Sequence, residues 1–510
     1  MNGREKSDPN IVAEKSANEA ERSGSELMEP RAGTKENATQ QSAPRTQGRP
    51  DASQALERIR QAARRSKKER FTALLHHITV EALETAFQGI AKEASPGIDG
   101  VCWKEYEADL WFRLADLHAR VHSGTYRATP SRRVYIPKPD GGRRPLAVAA
   151  LEDKIVQRAT MAVLNAIYEE DFLGFSYGFR PGRGAHDALD ALSTAIIRTK
   201  VNYIVDADIA KFFDTVDQSW LVRFLEHRLG DKRILRLIQK WLRAGVLEEG
   251  RIEVPERGTG QGAAISPLLA NIYLHYVLDL WADRWRRREA RGNVVIVRYA
   301  DDAVFGFEYE DDARRFLEAM RERLAQFALA LHPDKTRLIE FGRHAAANRE
   351  KRGLSKPETF NFLGFTFISG KSRSRSFLLK RKSRGDRMRA KLVKLKGQLR
   401  RINHAPLTTQ GEWLGAVVKG WFNYFAVPTN FKTLAAFHAH VVELWRRALN
   451  RRSQRGFIDK ARMAALADEC LPRPKILHPW PERRFAVRHP RWEPYAGIPH
   501  VRFCAGGAQQ

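Results

Sequence analysis

Two apolar runs, residues 294–298 and 303–307, are separated only by Tyr299-Ala300-Asp301-Asp302. That spacing predicts two strands joined by a tight turn, a β-hairpin. It also sets two adjacent carboxylates between segments that favour burial. Such a pair costs both mutual repulsion and desolvation. A purely structural turn gains little from it. A divalent cation removes the penalty, and hard carboxylate oxygens suit magnesium. This hairpin constrains the chain to a buried sheet that ends in a charged site.

A second run, residues 201–210 (VNYIVDADIA), is apolar and ends in acids. It predicts a buried strand whose end meets the same site. Asp206 and Asp208 are two apart and share one face of that strand. A carboxylate from a separate strand is what a two-cation phosphoryl-transfer site needs, with the cations about 3.5–4 Å apart.

The charge balance points the same way. Lys and Arg number 88 against 60 Asp and Glu, a formal net charge of +28 over 510 residues. A surplus of that size is usually neutralised by a polyanion, and nucleic acid is the expected partner. The length suggests about three domains. Three cysteines, Cys102, Cys470 and Cys504, exclude a disulfide framework and a multi-cysteine zinc module. No apolar run reaches the roughly 20 residues of a membrane span, and the polar start shows no signal-peptide pattern. No membrane association and a cytoplasmic location are the expectation. Residues 1–50 contain no aromatic residue and carry eight basic and eight acidic side chains. That composition predicts a disordered leader and places the whole surplus further along.

From Leu56 to about Leu164 the pattern is helical with interruptions, one helix opening at a Thr79 cap. Residues 133–137 and 144–148 predict strands around the Asp140-Gly141-Gly142 turn. Helices are expected over 151–168, 218–247, 267–280 and 311–330, and a strand over 360–367. Residues 258–262 (GTGQG) form a glycine loop. Residues 371–401 hold 14 basic residues against one acid, Asp386. Two amphipathic helices follow, one carrying Trp413, Trp421 and Phe425, the other Phe431, Phe437 and Trp445. Residues 460–510 show little periodicity.

Several boxes now stand in order along the chain. They are SPGIDGV (95–101), IPKPDGGRRPL (136–146), FSYGFRP (175–181), DIAKFFD (208–214) and GTGQG (258–262) with SPLLANI (266–272). YADD (299–302), HPDKT (332–336), FLGF (362–365) and GWFNYF (420–425) complete the set. Together, from about residue 80 to 505, they resemble the group II intron-encoded reverse transcriptase/maturase family. The family more often has Pro at Gly260 and Gly at Ala263.

The resemblance implies an α+β right-hand polymerase with fingers, a palm built on an antiparallel sheet, and an all-helical thumb/maturase domain. It implies catalysis by Asp208, Asp301 and Asp302, with two Mg²⁺ ions held by those carboxylates and the backbone carbonyl of Ile209. Lys138 and Arg144 would grip the triphosphate of the incoming nucleotide, and Gln261 would lie against it. Phe213 would exclude the ribose 2′-hydroxyl, with Phe212 as the competing candidate. Lys335 would act as general acid towards pyrophosphate, or simply cap a turn. In the basic tract, Arg381, Lys382 and Arg384 are expected to contact RNA phosphates.

The implied organisation is a leader (1–55), fingers (56–170), palm (171–370), thumb/maturase (371–459) and a basic, DNA-contacting C-terminal segment (460–510) without an HNH endonuclease. The implied function is RNA-directed DNA synthesis with intron RNA binding that assists splicing and supports intron mobility. Intron RNA, RNA template, DNA primer or target, and dNTPs are the implied partners. The setting is bacterial cytoplasm, with nucleoid association when DNA is the substrate. Two rivals remain: a related reverse transcriptase of phage defence or CRISPR spacer capture, and a splicing-only RNA-binding maturase.

Overall fold

In the computed structural model, the described residues are 52–137, 142–254, 256–260, 262–452 and 457–488. They contain eleven strands: β1 (Ser131–Pro137), β2 (Arg143–Val148), β3 (Tyr203–Asp208), β4 (Val246–Glu248), β5 (Arg251–Glu253), β6 (Val294–Tyr299), β7 (Asp302–Phe307), β8 (Arg337–Glu340), β9 (Phe360–Phe362), β10 (Phe365–Lys371) and β11 (Phe377–Ser383). These form three sheets, ordered β2-β1-β4-β5, β11-β10-β9 and β6-β7-β3-β8.

The last of these is antiparallel throughout and positions the site. β6 and β7 form the expected hairpin, with Tyr299 paired to Asp302. β3 joins the free edge of β7 in a register running from Tyr203↔Phe307 to Asp208↔Asp302. Every residue of β6 and β7 is buried, because both faces of the sheet are covered. Val205, Ala207, Ile296, Phe305 and Phe307 enter one core, shared with the helices Leu151–Asp171, Ser266–Leu274 and Glu310–Ala325. Ile204, Val295, Val297, Val304 and Ile339 enter a second core. That core takes in the helices Ala185–Arg198, Leu407–Phe425 and Phe431–Leu449. This explains why the strands appear as unbroken apolar runs rather than alternating ones.

Thr79 caps the helix Val80–Gln88, its hydroxyl accepting from the Ala82 amide at 3.2 Å. Other expectations need correction. The helix expected over 218–247 is two, Gln218–Glu226 and Lys232–Arg243, with Val246 already in β4. A Cβ at Gly230 would lie 2.8 Å from the Thr72 methyl. The next residue, Asp231, accepts from the Leu74, Leu75 and Arg233 amides. A long-range anchor thus breaks a segment whose periodicity is continuous. The strand expected over 360–367 is instead a hairpin, turned at Leu363 (φ 45°) and Gly364 (φ 79°). The segment 371–459 is not all-helical, since β10 runs to Lys371 and β11 precedes the helix Gly385–Arg401. From 460 onward the described residues include two helices, Lys460–Cys470 and Pro481–Arg488. No described helix is long and apolar enough to cross a membrane.

Candidate active site

Asp208 and Asp302 end neighbouring strands and face each other in register. Residues so paired bring their Cβ atoms to about 4.5–5.5 Å, and like charges there are destabilising. Both are buried, Asp208 at 7% and Asp302 at 2% exposure. Asp301 sits half-buried in the two-residue turn, after Ala300 in a left-handed conformation (φ 56°). The donor set is all carboxylate oxygen, which fits a hard divalent cation. Among the described residues, no group of three His, Cys, Asp or Glu side chains is already gathered as a metal centre. Asp208 is instead ion-paired with Lys335, Nζ to Oδ2 at 2.9 Å. The 332–336 loop is tied to the strand end, the His332 amide donating to the Asp208 carbonyl at 2.8 Å. Ile209 forms an isolated bridge with Leu331 beside it.

Phe212 and Phe213 differ sharply. Phe212 is buried in the core, while Phe213 is half-buried and meets it edge-on at 5.4 Å. The glycine loop lies on this corner. The Gly258 amide donates to Val216 at 2.7 Å, and the Thr259 amide to the Phe213 carbonyl at 3.1 Å. Gly258 has φ 90°, and a Cβ there would lie 2.8 Å from the Phe213 oxygen. On its other side, a Cβ at Gly262 (φ 114°) would lie 2.8 Å from the Ala147 carbonyl of β2. The loop therefore fills the space between Phe213 and β2, the strand that carries half-buried Arg144 opposite Ile136. Lys138 and Gln261 lie outside the described residues.

The expected RNA contacts of the basic tract require correction. Arg381 and Arg384 are each only 2% exposed. Arg381 pairs with buried Asp190 at 3.0 Å, and Asp190 also binds Arg484. Arg384 pairs with Asp386 at 2.6 Å. Strand alternation puts Leu379, Arg381 and Ser383 inward and Lys382, with half-buried Lys380, on the other face. Arg381 and Arg384 thus join β11 to its surroundings and present no charge to a polyanion. Exposed cations of the tract continue on the following helix at Arg389, Lys394, Lys396 and Arg400.

Sequence reasoning passed over Arg298, whose neighbours are apolar or aromatic. It is buried, and its guanidinium lies under the carboxylate turn with Asp279, Asn271 and Ser176 around it. Two of the motif boxes, FSYGFRP and SPLLANI, supply Ser176 and Asn271, while Asp279 lies outside every box. The box order was the available signal, but it assigns no role to individual residues.

Opposed carboxylates on an antiparallel sheet thus stand beside a lysine loop and a glycine loop, a donor set suited to a hard divalent cation. Residues 136–367 match the family described as reverse transcriptase (RNA-dependent DNA polymerase). The chain is 34% identical over 277 residues to the protein YkfC of Escherichia coli, covering 48% of this chain and 72% of that one. It is 32% identical over 231 residues to the group II intron-encoded protein LtrA of Lactococcus lactis, covering 44% and 38%. With the putative COX1/OXI3 intron 2 protein of Saccharomyces cerevisiae it shares 26% identity over 395 residues, 63% and 45% of the two chains. The chain belongs to the group II intron-encoded reverse transcriptase/maturase family. Its match spans less than half the length of the LtrA and yeast relatives.

Proposed function

We propose that this chain is an RNA-directed DNA polymerase that also binds intron RNA and favours its folded, splicing-competent form. The observation that carries the polymerase reading is the in-register pair Asp208 and Asp302, beside Asp301 and within reach of Lys335. In this reading the β6-β7-β3-β8 sheet is the palm, the β1–β2 hairpin belongs to the fingers, and the helices from Gly385 onward form the thumb/maturase part.

Asp208, Asp301 and the Ile209 carbonyl would hold two Mg²⁺ ions, with Asp302 as a weaker contributor. When bound, such ions activate the primer 3′-hydroxyl and offset charge on departing pyrophosphate. The chain's own residues do the rest. Arg144, with Lys138, binds the triphosphate through charge-assisted contacts. The half-buried ring of Phe213 lies against the sugar and leaves no room for a 2′-hydroxyl. Gln261 is carried to the nucleotide by a loop whose glycines allow close backbone approach. Lys335 exchanges its contact with Asp208 for the leaving group and supplies a proton to it.

Intron RNA, the RNA template, a DNA primer or target and dNTPs are the partners on this reading. Lys382 and the exposed cations of the following helix hold RNA phosphates. The setting is bacterial cytoplasm, at the nucleoid when DNA is copied or invaded. The direct test is extension of a DNA primer on an RNA template by the purified chain with dNTPs and Mg²⁺. Full-length cDNA supports the reading. Tight RNA binding with no extension would instead leave a splicing-only RNA-binding protein.

A further inference from the structure

We infer that Arg298 is the positioning residue for the Asp301–Asp302 turn, acting from the sheet face opposite the carboxylates. The inference rests on the polymerase reading and adds to it a residue that no box assigns. Arg298 is 1% exposed and lies at the end of β6. A guanidinium has five N–H donors, and here all five are used. Nε and Nη2 fork onto the two carboxylate oxygens of Asp279, at 2.7 and 2.6 Å. Nη2 also donates to the Ser176 hydroxyl at 2.7 Å. Nη1 donates to the Asn271 side-chain oxygen at 2.9 Å and to the backbone carbonyl of Ala300 at 2.8 Å.

That last contact is on the turn itself. Ala300 has φ 56°, a conformation that disfavours a residue with a Cβ. Such a conformation persists only where the surroundings over-determine it. They do so here from two sides. Arg298 holds the Ala300 carbonyl, and the backbone of Gly178 closes on the Ala300 amide, where a Cβ at 178 would stand at 2.2 Å. Asn271 joins the two restraints, its amide donating to the Gly178 carbonyl at 2.7 Å while its oxygen accepts from Arg298.

The helix that supplies Asp279 is irregular at the point that matters. Residues His275–Asp279 form a π-helical segment between two α-helical stretches, ending on the carboxylate that anchors Arg298. Such π-helical turns are rare and are frequent at functional sites. A buried ion pair serving the core alone requires neither the turn carbonyl as a partner nor an interrupted helix. The planar fork is what reaches every partner at once, so lysine cannot substitute for it.

The test compares Arg298→Lys, and the charge-free pair Arg298→Met with Asp279→Leu, against the parent. Three quantities are read: Mn²⁺ affinity of the protein on primer–template by electron paramagnetic resonance, the Mg²⁺ midpoint of extension, and kcat against KM for dNTP. Displacing a reacting geometry by about 1 Å costs on the order of a hundredfold in rate. Both variants should therefore lose about that much kcat with little change in KM or RNA affinity. They should also bind Mn²⁺ more weakly and shift the Mg²⁺ midpoint upward. Affinity and midpoint do not depend on how much protein is folded. Parent-like values of both overturn the inference even where total activity falls. A parent that extends no primer defeats the polymerase reading instead, and the Mn²⁺ comparison still decides the role of Arg298.

Discussion

The ammonium of Lys335 lies 2.9 Å from a carboxylate oxygen of Asp208. The loop that carries it also closes on the Asp208 carbonyl through the His332 amide. Lys335 thereby relieves part of the repulsion between Asp208 and Asp302, and on the proposed reading it is the residue that supplies a proton to the leaving group. The side chain of Lys335 is 27% exposed but that of Asp208 only 10%, so removing the lysine leaves a buried carboxylate facing Asp302 without its cation. Lys335→Ala should therefore lower thermal stability in the absence of divalent cation and lower the single-turnover incorporation rate by about 10²-fold or more. An incorporation rate equal to the parent's would confine Lys335 to the loop's structure.

Phe212 and Phe213 separate a packing role from a sugar-selecting role. Phe213→Val should admit ribonucleotides, read as the ratio of rNTP to dNTP incorporation, with a small loss of stability. Phe212→Val should leave the ratio unchanged. It should cost on the order of 2–4 kcal/mol in urea unfolding, since a buried ring is truncated. A ratio that changes at Phe212 and not at Phe213 reverses the assignment.

The basic tract divides in the same way. Replacing Lys382, Lys394 and Lys396 with Ala should weaken RNA binding and flatten its log–log salt dependence by about two to three units. Arg381→Ala should leave that slope alone. It should instead destabilise the fold by about 3–5 kcal/mol, because Asp190 loses a buried partner. Salt titrations and denaturant melts of the two variants give opposite patterns if the division holds. A slope unmoved by the triple change would shift the RNA contact to other basic surfaces.

His275 gives the fold an acid limit. Burial pushes its imidazole pKa down to about 4, below the ordinary 6.5. The unfolded chain therefore binds more protons between those values. Stability is fully present above pH 6.5 and falls as pH drops towards 4. Over pH 6.5 to 5 this group accounts for a loss of roughly 2 kcal/mol. His275→Phe should remove that part of the pH dependence in urea unfolding. An unchanged slope would show that other groups carry it.

What the sequence made legible follows from how locally each feature is encoded. The β6–β7 hairpin and β3 carry their own apolar runs and terminal acids, so the meeting of Asp208 with the YADD turn was readable. Arg381 was not, because a count of charges does not say which face of a strand each one takes. The acid that buries it, Asp190, is 191 positions away. The break at Gly230 was hidden for a similar reason, since its anchor is Phe71–Leu75. Arg298 was passed over because one buried cation beside an apolar run has no periodicity of its own. Its role emerges only when Ser176, Asn271 and Asp279 are brought under the turn.

The central claim is that Asp208, Asp301 and Asp302 form the polymerising centre, and Asp301→Asn tests it most directly. The substitution keeps the size and turn propensity of the side chain and removes its charge. Extension of a DNA primer on an RNA template is measured for variant and parent, with RNA affinity measured alongside. A catalytic ligand contributes several kcal/mol to the transition state, so the extension rate should fall about a thousandfold or more with RNA affinity retained. A variant that extends the primer at more than about a hundredth of the parent rate would contradict the account and place the chemistry elsewhere.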